Sequence, residues 1–137
     1  MNPIYKTYHP EGFHSVNSYL MTEDPPTLIE FLKNVFHAEE KNRTMHPKDG
    51  TIANCILQIG DSSLMVAQAK GPFMGMRTAF YLYVNDVDGL HERAVAHGAK
   101  VEFPPADMPY GDRQSGVMDP AGNYWWISQR LEEKNYD

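Results

Sequence analysis

Cysteine is almost absent from this 137-residue chain. Cys55 stands alone, so no internal disulfide can form, and no Cys/His spacing matches a zinc finger. Long apolar runs are missing too. None approaches the ~18 residues of a transmembrane helix, and the start MNPIYKTYHPEGF lacks the apolar core of a signal peptide. The expected setting is cytoplasmic, with no membrane partner. Positive charge is scarce: 12 Lys and Arg against 18 Asp and Glu give a formal net charge of −6. A general nucleic-acid binder needs a dense basic surface, so this balance favours neutral or cationic ligands instead. GxSxG, HExxH, P-loop and GxGxxG motifs are all lacking, and no catalytic residue is assigned on their account. His91 and His97 lie six apart on one helix and do not share a face; surface or helix-edge positions are expected for all six histidines. Cys55, inside the apolar run ANCILQI, reads as a buried structural thiol.

What the chain does have is concentrated in Tyr110 to Ser128, YGDRQSGVMDPAGNYWWIS. Asp119-Pro120-Ala121-Gly122 has the acid, proline and glycine that a type I turn asks for. A strand therefore ends near Met118 and another starts near Tyr124, with Tyr124, Trp126 and Ser128 on one face and Trp125 and Ile127 on the other. The same pattern occurs earlier. Tyr19-Leu20, Asp24, Leu28 and Gly60 recur as Tyr81-Leu82, Asp86, Leu90 and Gly122, each 62 residues later, which reads as an internal duplication.

Each copy has the same order of elements. Val16 to Thr22 predicts a strand, Asp24 and Pro25 a helix start, and Leu28, Phe31, Leu32, Val35 and Phe36 one apolar helix face. A short strand near Asn42 to Met45 and the pair Ile52 to Ile59 and Ser63 to Gln68 complete the first βαβββ module. The second runs through Ala79 to Val84, a helix from Asp86 to a stop at Gly98, a short strand Val101 to Phe103 ended by Pro104-Pro105, and the Gly116 to Ser128 hairpin. Lys70 to Thr78 connects the two copies, and the polar tail RLEEKNYD is expected to fray or form a brief helix. The fold class is α+β: one domain over 1–137, with two βαβββ modules at about 14–69 and 78–130.

Paired βαβββ modules, the start FHSVNSYLMTED, the helix EFLKNVFHAE and the close YGDRQSGVMDPAGNYWWIS resemble the vicinal oxygen chelate superfamily, the glyoxalase and bleomycin-resistance proteins. The resemblance covers roughly Gly12 to Gln129. It implies mixed, mainly antiparallel sheets forming a cleft, and a homodimer. It also implies a divalent metal held by His, Glu or Gln on the first and last strand of each module. Carried over by the 62-residue offset, those positions are Asn17, Leu64 or Val66, Ala79 and Trp126. An indole, a methyl and an aliphatic chain donate no lone pair to a metal ion, so neither metal nor other cofactor is expected. Gln68 or His14 becomes a ligand only if a strand slips in register.

Strand alternation then suggests what lines the cleft. With Asn17 and Ala79 inward, Tyr19, Met21, Tyr81 and Tyr83 follow, joined by Asn54, Ile56 and Gln58, by Trp126 and Ser128, and by Phe73, Met74 and Met76 of the connector. Such a lining is aromatic, thioether-rich and sparsely polar, and it suits flat rings. The plainer alternative is that these aromatics fill a barrel or bury a dimer contact. Tyr110, Asp112 and Arg113 are the polar candidates: a loop arginine offering a fork to a ligand, oriented by Asp112, or a salt bridge that only shapes the loop. The leading expectation is metal-independent binding or sequestration of a small planar aromatic metabolite or antibiotic. The alternative is a metal-dependent isomerase, lyase or dioxygenase of the same superfamily.

Overall fold

Two sheets of the same connectivity account for most of the chain in the computed structural model, which describes residues 7–137. In order along the chain, the elements are β1 (Ser18–Thr22), α1 (Pro25–Phe36), β2 (Glu39–Met45), β3 (Ile52–Ile59), β4 (Ser62–Gln68), β5 (Ala79–Tyr83), α2 (Val87–Ala96), β6 (Lys100–Asp107), β7 (Asp112–Met118) and β8 (Tyr124–Arg130). The strand orders are β1-β4-β3-β2 and β5-β8-β7-β6. In each sheet the first and last strand of the module run parallel, and the other neighbours run antiparallel. This is the paired βαβββ architecture expected from the sequence. Among the described residues, no helix is long and apolar enough to cross a membrane.

The first unit comprises residues up to Pro25 together with His37–Met76. One face of its sheet is buried: Leu20, Cys55, Leu57, Leu64 and Val66 are at most 5% exposed. Cys55 is thus the buried thiol that its apolar surroundings predict. The β3–β4 turn is two residues, Gly60-Asp61, with Gly60 at a φ of 57° that a glycine takes without strain. This corrects the sequence alignment of the two copies. Tyr19 lies opposite Met65 just as Tyr81 lies opposite Trp126, so the offset is 62 on the first strand and 61 on the last. Met65, not Leu64 or Val66, matches Trp126. A slip of one residue turns every side chain over, and Leu64 and Val66 accordingly point into the buried side. β2 is also longer than the predicted Asn42 to Met45, because its polar residues pair along β3 at the sheet edge.

The second unit comprises Pro26–Phe36 and Arg77–Asp137. Trp125 anchors it. At 2% exposure it stacks on Phe80, ring centroids 4.2 Å apart, and meets Phe36 of α1 at 4.6 Å, while its Nε1 donates to Asp119 Oδ2 at 2.8 Å. Asp119 Oδ1 accepts from the amides of Ala121 and Asn123, so one carboxylate closes the hairpin turn and fixes the indole beneath it. Helix α1 buries Leu28, Ile29, Leu32 and Val35 completely, as its apolar spacing predicts. Its Asn34 carbonyl accepts from Arg93 of α2. α2 is capped by Asp86, which accepts from the Gly89 amide at 3.0 Å.

Two predicted strand limits are corrected here. β6 continues through Pro104-Pro105, because it is an edge strand whose irregular pairing needs no donor from the prolines. β7 starts at Asp112 rather than Gly116, so Asp112 and Arg113 are strand residues, not loop residues.

Asp119→Ala should open the hairpin turn and leave the Trp125 indole N–H buried without an acceptor. A stability loss of about 2 kcal/mol or more is expected in urea unfolding. A loss below about 0.5 kcal/mol would remove Asp119 from this role.

Candidate functional site

Each sheet has an open face opposite its buried one. In the first unit, Tyr19, Met65 and Ile56 form one row across three strands, with Met21 and Ala67 beside it and Ser63 paired with Gln58 on the other side. Tyr19 is 47% exposed. Asn54 donates to the Met65 thioether at 3.5 Å, while its Oδ1 is buried without a partner among the described residues. Gln58 is turned back on the Gly60 carbonyl at 3.1 Å. Asn17 lies outside β1. Its side chain accepts from the His14 amide at 2.8 Å and donates to the His14 carbonyl at 2.7 Å, so it holds the approach to the strand rather than facing a ligand. Phe73 ends a short 3-10 turn, Gly71–Phe73, and Met76 follows it; both are near half exposure.

The open face of the second unit is richer in rings. Tyr81, Trp126, Gly116 and Phe103 share a row, and Ala79, Tyr124 and Met118 the next. A Cβ at position 116 would stand 2.3 Å from the Phe103 ring, so glycine is what lets that ring lie over β7. Trp126, with the Phe103 and Tyr124 centroids 6.5 and 6.4 Å from its own, borders with them a hollow of roughly 220 Å³ that Glu102, Gly116, Val117 and Trp125 also line. Tyr81 and Tyr83 stand 5.4 Å apart on the edge strand β5.

Beside these rings lies a closed polar network. Asp112 is fully buried. Its Oδ1 accepts from Arg130 at 2.8 Å, and its Oδ2 accepts from the hydroxyls of Tyr81 at 2.5 Å and Tyr136 at 2.6 Å. Burial would raise its pKa, but the donations from Tyr136, Tyr81 and Arg130 together outweigh burial and hold it below the usual carboxylate range. Burial, then the bond to Asp112, raises the Tyr81 phenol. Tyr110 donates to Gln114, which donates to Ser128 at 2.7 Å.

The pairing of Asp112 with Arg113 expected from the sequence does not occur. The two alternate along β7. Asp112 takes Arg130, while Arg113 forks onto Asp88 at 2.7 and 2.8 Å and reaches Asp107 at 2.9 Å. Arg113 therefore ties β7 to α2 and β6 and has no free fork to offer. The same alternation brings Ser115 to His91, Nδ1 to Oγ 2.9 Å. His91 is buried rather than at a surface, and burial lowers its pKa against the pull of Asp88 and Glu92. Nor does the tail fray: Tyr136 returns to Asp112 and packs on Arg130. Arg130 and Gln114 were legible by parity from Trp126 and from the YGDRQ run, whereas nothing in the sequence marks Tyr136.

Residues 12–127 match the model of the Glyoxalase/Bleomycin resistance protein/Dioxygenase superfamily. The chain belongs to this superfamily. An uncharacterized protein of Mycobacterium bovis, Mb0911c, is 30% identical over 134 residues, covering 90% of this chain and 88% of the relative. Its Mycobacterium tuberculosis counterpart Rv0887c is also 30% identical, over 78% of its own length. Among solved structures, TioX from Micromonospora sp. ML1 is similar, with a TM-score of 0.68, 28% identity, and 85% of this chain and 99% of that chain covered. The superfamily's metal does not suit the donors present. With the register corrected, the positions are Asn17, whose amide is spent on His14, Met65, Ala79 and Trp126. Among the described residues no group of three His, Cys, Asp or Glu side chains is placed to hold a metal ion. A thioether, a methyl and an indole do not make a site for a borderline or hard cation.

The depressed pKa of Asp112 has a definite sign. Its stabilisation is present above the unfolded carboxylate value of about 3.9 and is lost as pH falls through the lower folded value. Wild type should therefore exceed Asp112→Asn in stability at about pH 6, with the gap closing toward about pH 2 in urea unfolding. A constant gap across that range would contradict the assignment.

Proposed function

We propose that this protein binds a small, planar aromatic molecule, a metabolite or an antibiotic, without metal and without altering it. The observation that carries the reading is Trp126. It stands where the superfamily places a metal ligand on the last strand, half-buried between Phe103 and Tyr124 above a hollow that admits a flat ring. Aromatic faces attract such a ring by offset stacking and by the apolar area they remove from water. Tyr81, Tyr83, Tyr110 and Trp126 are the proposed contacts in the second unit, with Asp112 as the group that orients Tyr81. On the first unit, taken by itself, Tyr19, Met21, Asn54, Ile56, Gln58, Phe73 and Met76 are the proposed contacts. Arg113 and Asn17, engaged elsewhere, leave that set.

A homodimer belongs to the same reading. Tyr19, Phe73, Met74, Met76, Tyr81 and Tyr83 are each 45–55% exposed on the single chain, more aromatic and thioether surface than a solvated sheet face needs. Light scattering should then give twice the 15.6 kDa chain mass. The enzymatic alternative would need metal donors or an open acid–base pair on these faces, and Asp112, the carboxylate buried on the second of them, is fully engaged.

Calorimetric titration with a panel of flat heteroaromatic compounds tests the proposal. At least one should bind saturably and be recovered unchanged, and Trp126→Ala should weaken it by about tenfold or more, the scale of one lost stacking partner. Zn²⁺, Ni²⁺, Mn²⁺ and Fe²⁺ should leave the unfolding temperature where it was. A tightly held ion, or chemical turnover of the ligand, would overturn the reading.

A further inference from the structure

The end of the chain lies on the face just described and behaves there as a ligand would. Tyr136 sets its hydroxyl 2.6 Å from Asp112 Oδ2 and 2.6 Å from the Tyr83 hydroxyl. Its ring lies 4.2 Å from the Arg130 guanidinium carbon, a cation over an aromatic face. Because the single hydroxyl proton of Tyr136 goes to Asp112, Tyr83 is the donor in the bond they share. The subsite thus presents an ionised acceptor, a phenolic donor and a cation at the spacing of one phenol ring. Arg130 is itself locked in place, by the Tyr110 carbonyl at 2.7 Å and the Lys134 carbonyl at 3.1 Å, and its Nε is buried without a partner among the described residues. Tyr136 remains 47% exposed, so apolar burial alone does not explain its docking; the directional contacts do.

We propose that the Asp112–Arg130–Tyr83 subsite selects hydroxylated aromatic molecules, and that Tyr136 occupies it as a stand-in which such a ligand displaces. This rests on the reading of the second sheet as an aromatic-binding face and narrows its ligand to the phenol class. The incoming hydroxyl takes over the donation to Asp112 while Tyr81 keeps its own, so the buried charge is never left short of partners. A phenolate would be repelled, and an ether or unsubstituted ring has no proton to give. While Tyr136 is docked the subsite is closed, and apparent affinity falls in proportion to the open fraction.

Calorimetric titration of the full chain with 2-naphthol and with 2-methoxynaphthalene separates the possibilities, using wild type, Tyr136→Phe and Tyr136→Ala. The expected result is about tenfold tighter binding of 2-naphthol by Tyr136→Ala than by wild type, with Tyr136→Phe between them. The methoxy compound should bind all three more weakly and about equally. Equal binding of both compounds by all three proteins would overturn the phenol subsite and leave the aromatic face standing. Binding of neither compound by any protein would overturn both. Weaker 2-naphthol binding in Tyr136→Ala would make Tyr136 part of the receptor and end its role as a stand-in.

Discussion

Asp112 carries its charge with no surface open to solvent, and an ionised carboxylate in that position costs several kcal/mol unless donors meet it. Arg130, Tyr81 and Tyr136 meet it, and in doing so they fix the open face of the second sheet. Arg130 in turn holds the Tyr110 carbonyl, and Tyr83 reaches the same network through Tyr136. The polar atoms of this face are thus largely satisfied by one another. Apart from the subsite that Tyr136 fills, what this face can offer a ligand is ring surface, and the proposed recognition of aromatic molecules rests on it.

The pleat of β7 divides the work. Asp112, Gln114 and Gly116 face the rings, while Arg113 and Ser115 face α2, where they meet Asp88 and His91. A tight YGDR motif in the sequence therefore serves two sides of one sheet. Trp125 and Trp126 part in the same way: Trp125 is 2% exposed and locked to Asp119, and Trp126 lies on the opposite face between Phe103 and Tyr124. In the second sheet the two carried-over ligand positions, Ala79 and Trp126, share one face and carry a methyl and an indole, neither of them a lone-pair donor.

Much of the fold was legible because it is written in local signals. The Asp119 turn, the Asp86 cap, the apolar spacing of α1 and the alternation of Tyr124 to Ser128 each follow from short-range physics, and each appears in the structure. The errors came where longer pairing decides. The shorter Gly60-Asp61 turn slips the register of β4 by one residue, which no single-strand pattern reveals. β6 passes through two prolines because it is an edge, a fact about neighbours rather than about Val101 to Phe103. Partners of charged residues were the least legible: Asp112 and Arg113 are adjacent in sequence, yet their ion pairs are with Arg130 and with Asp88 and Asp107. The return of Tyr136 has no sequence signal, since a polar tail ending in one tyrosine looks like any other.

The most direct test of the account is to watch the two indole N–H signals by nitrogen–proton correlation NMR while a flat heteroaromatic compound is added. The account predicts a saturable shift of the Trp126 signal, on the open face, with the Trp125 signal held in place by its bond to Asp119. A shift of Trp125 with Trp126 unmoved, or no shift of either across the whole compound panel, would contradict it.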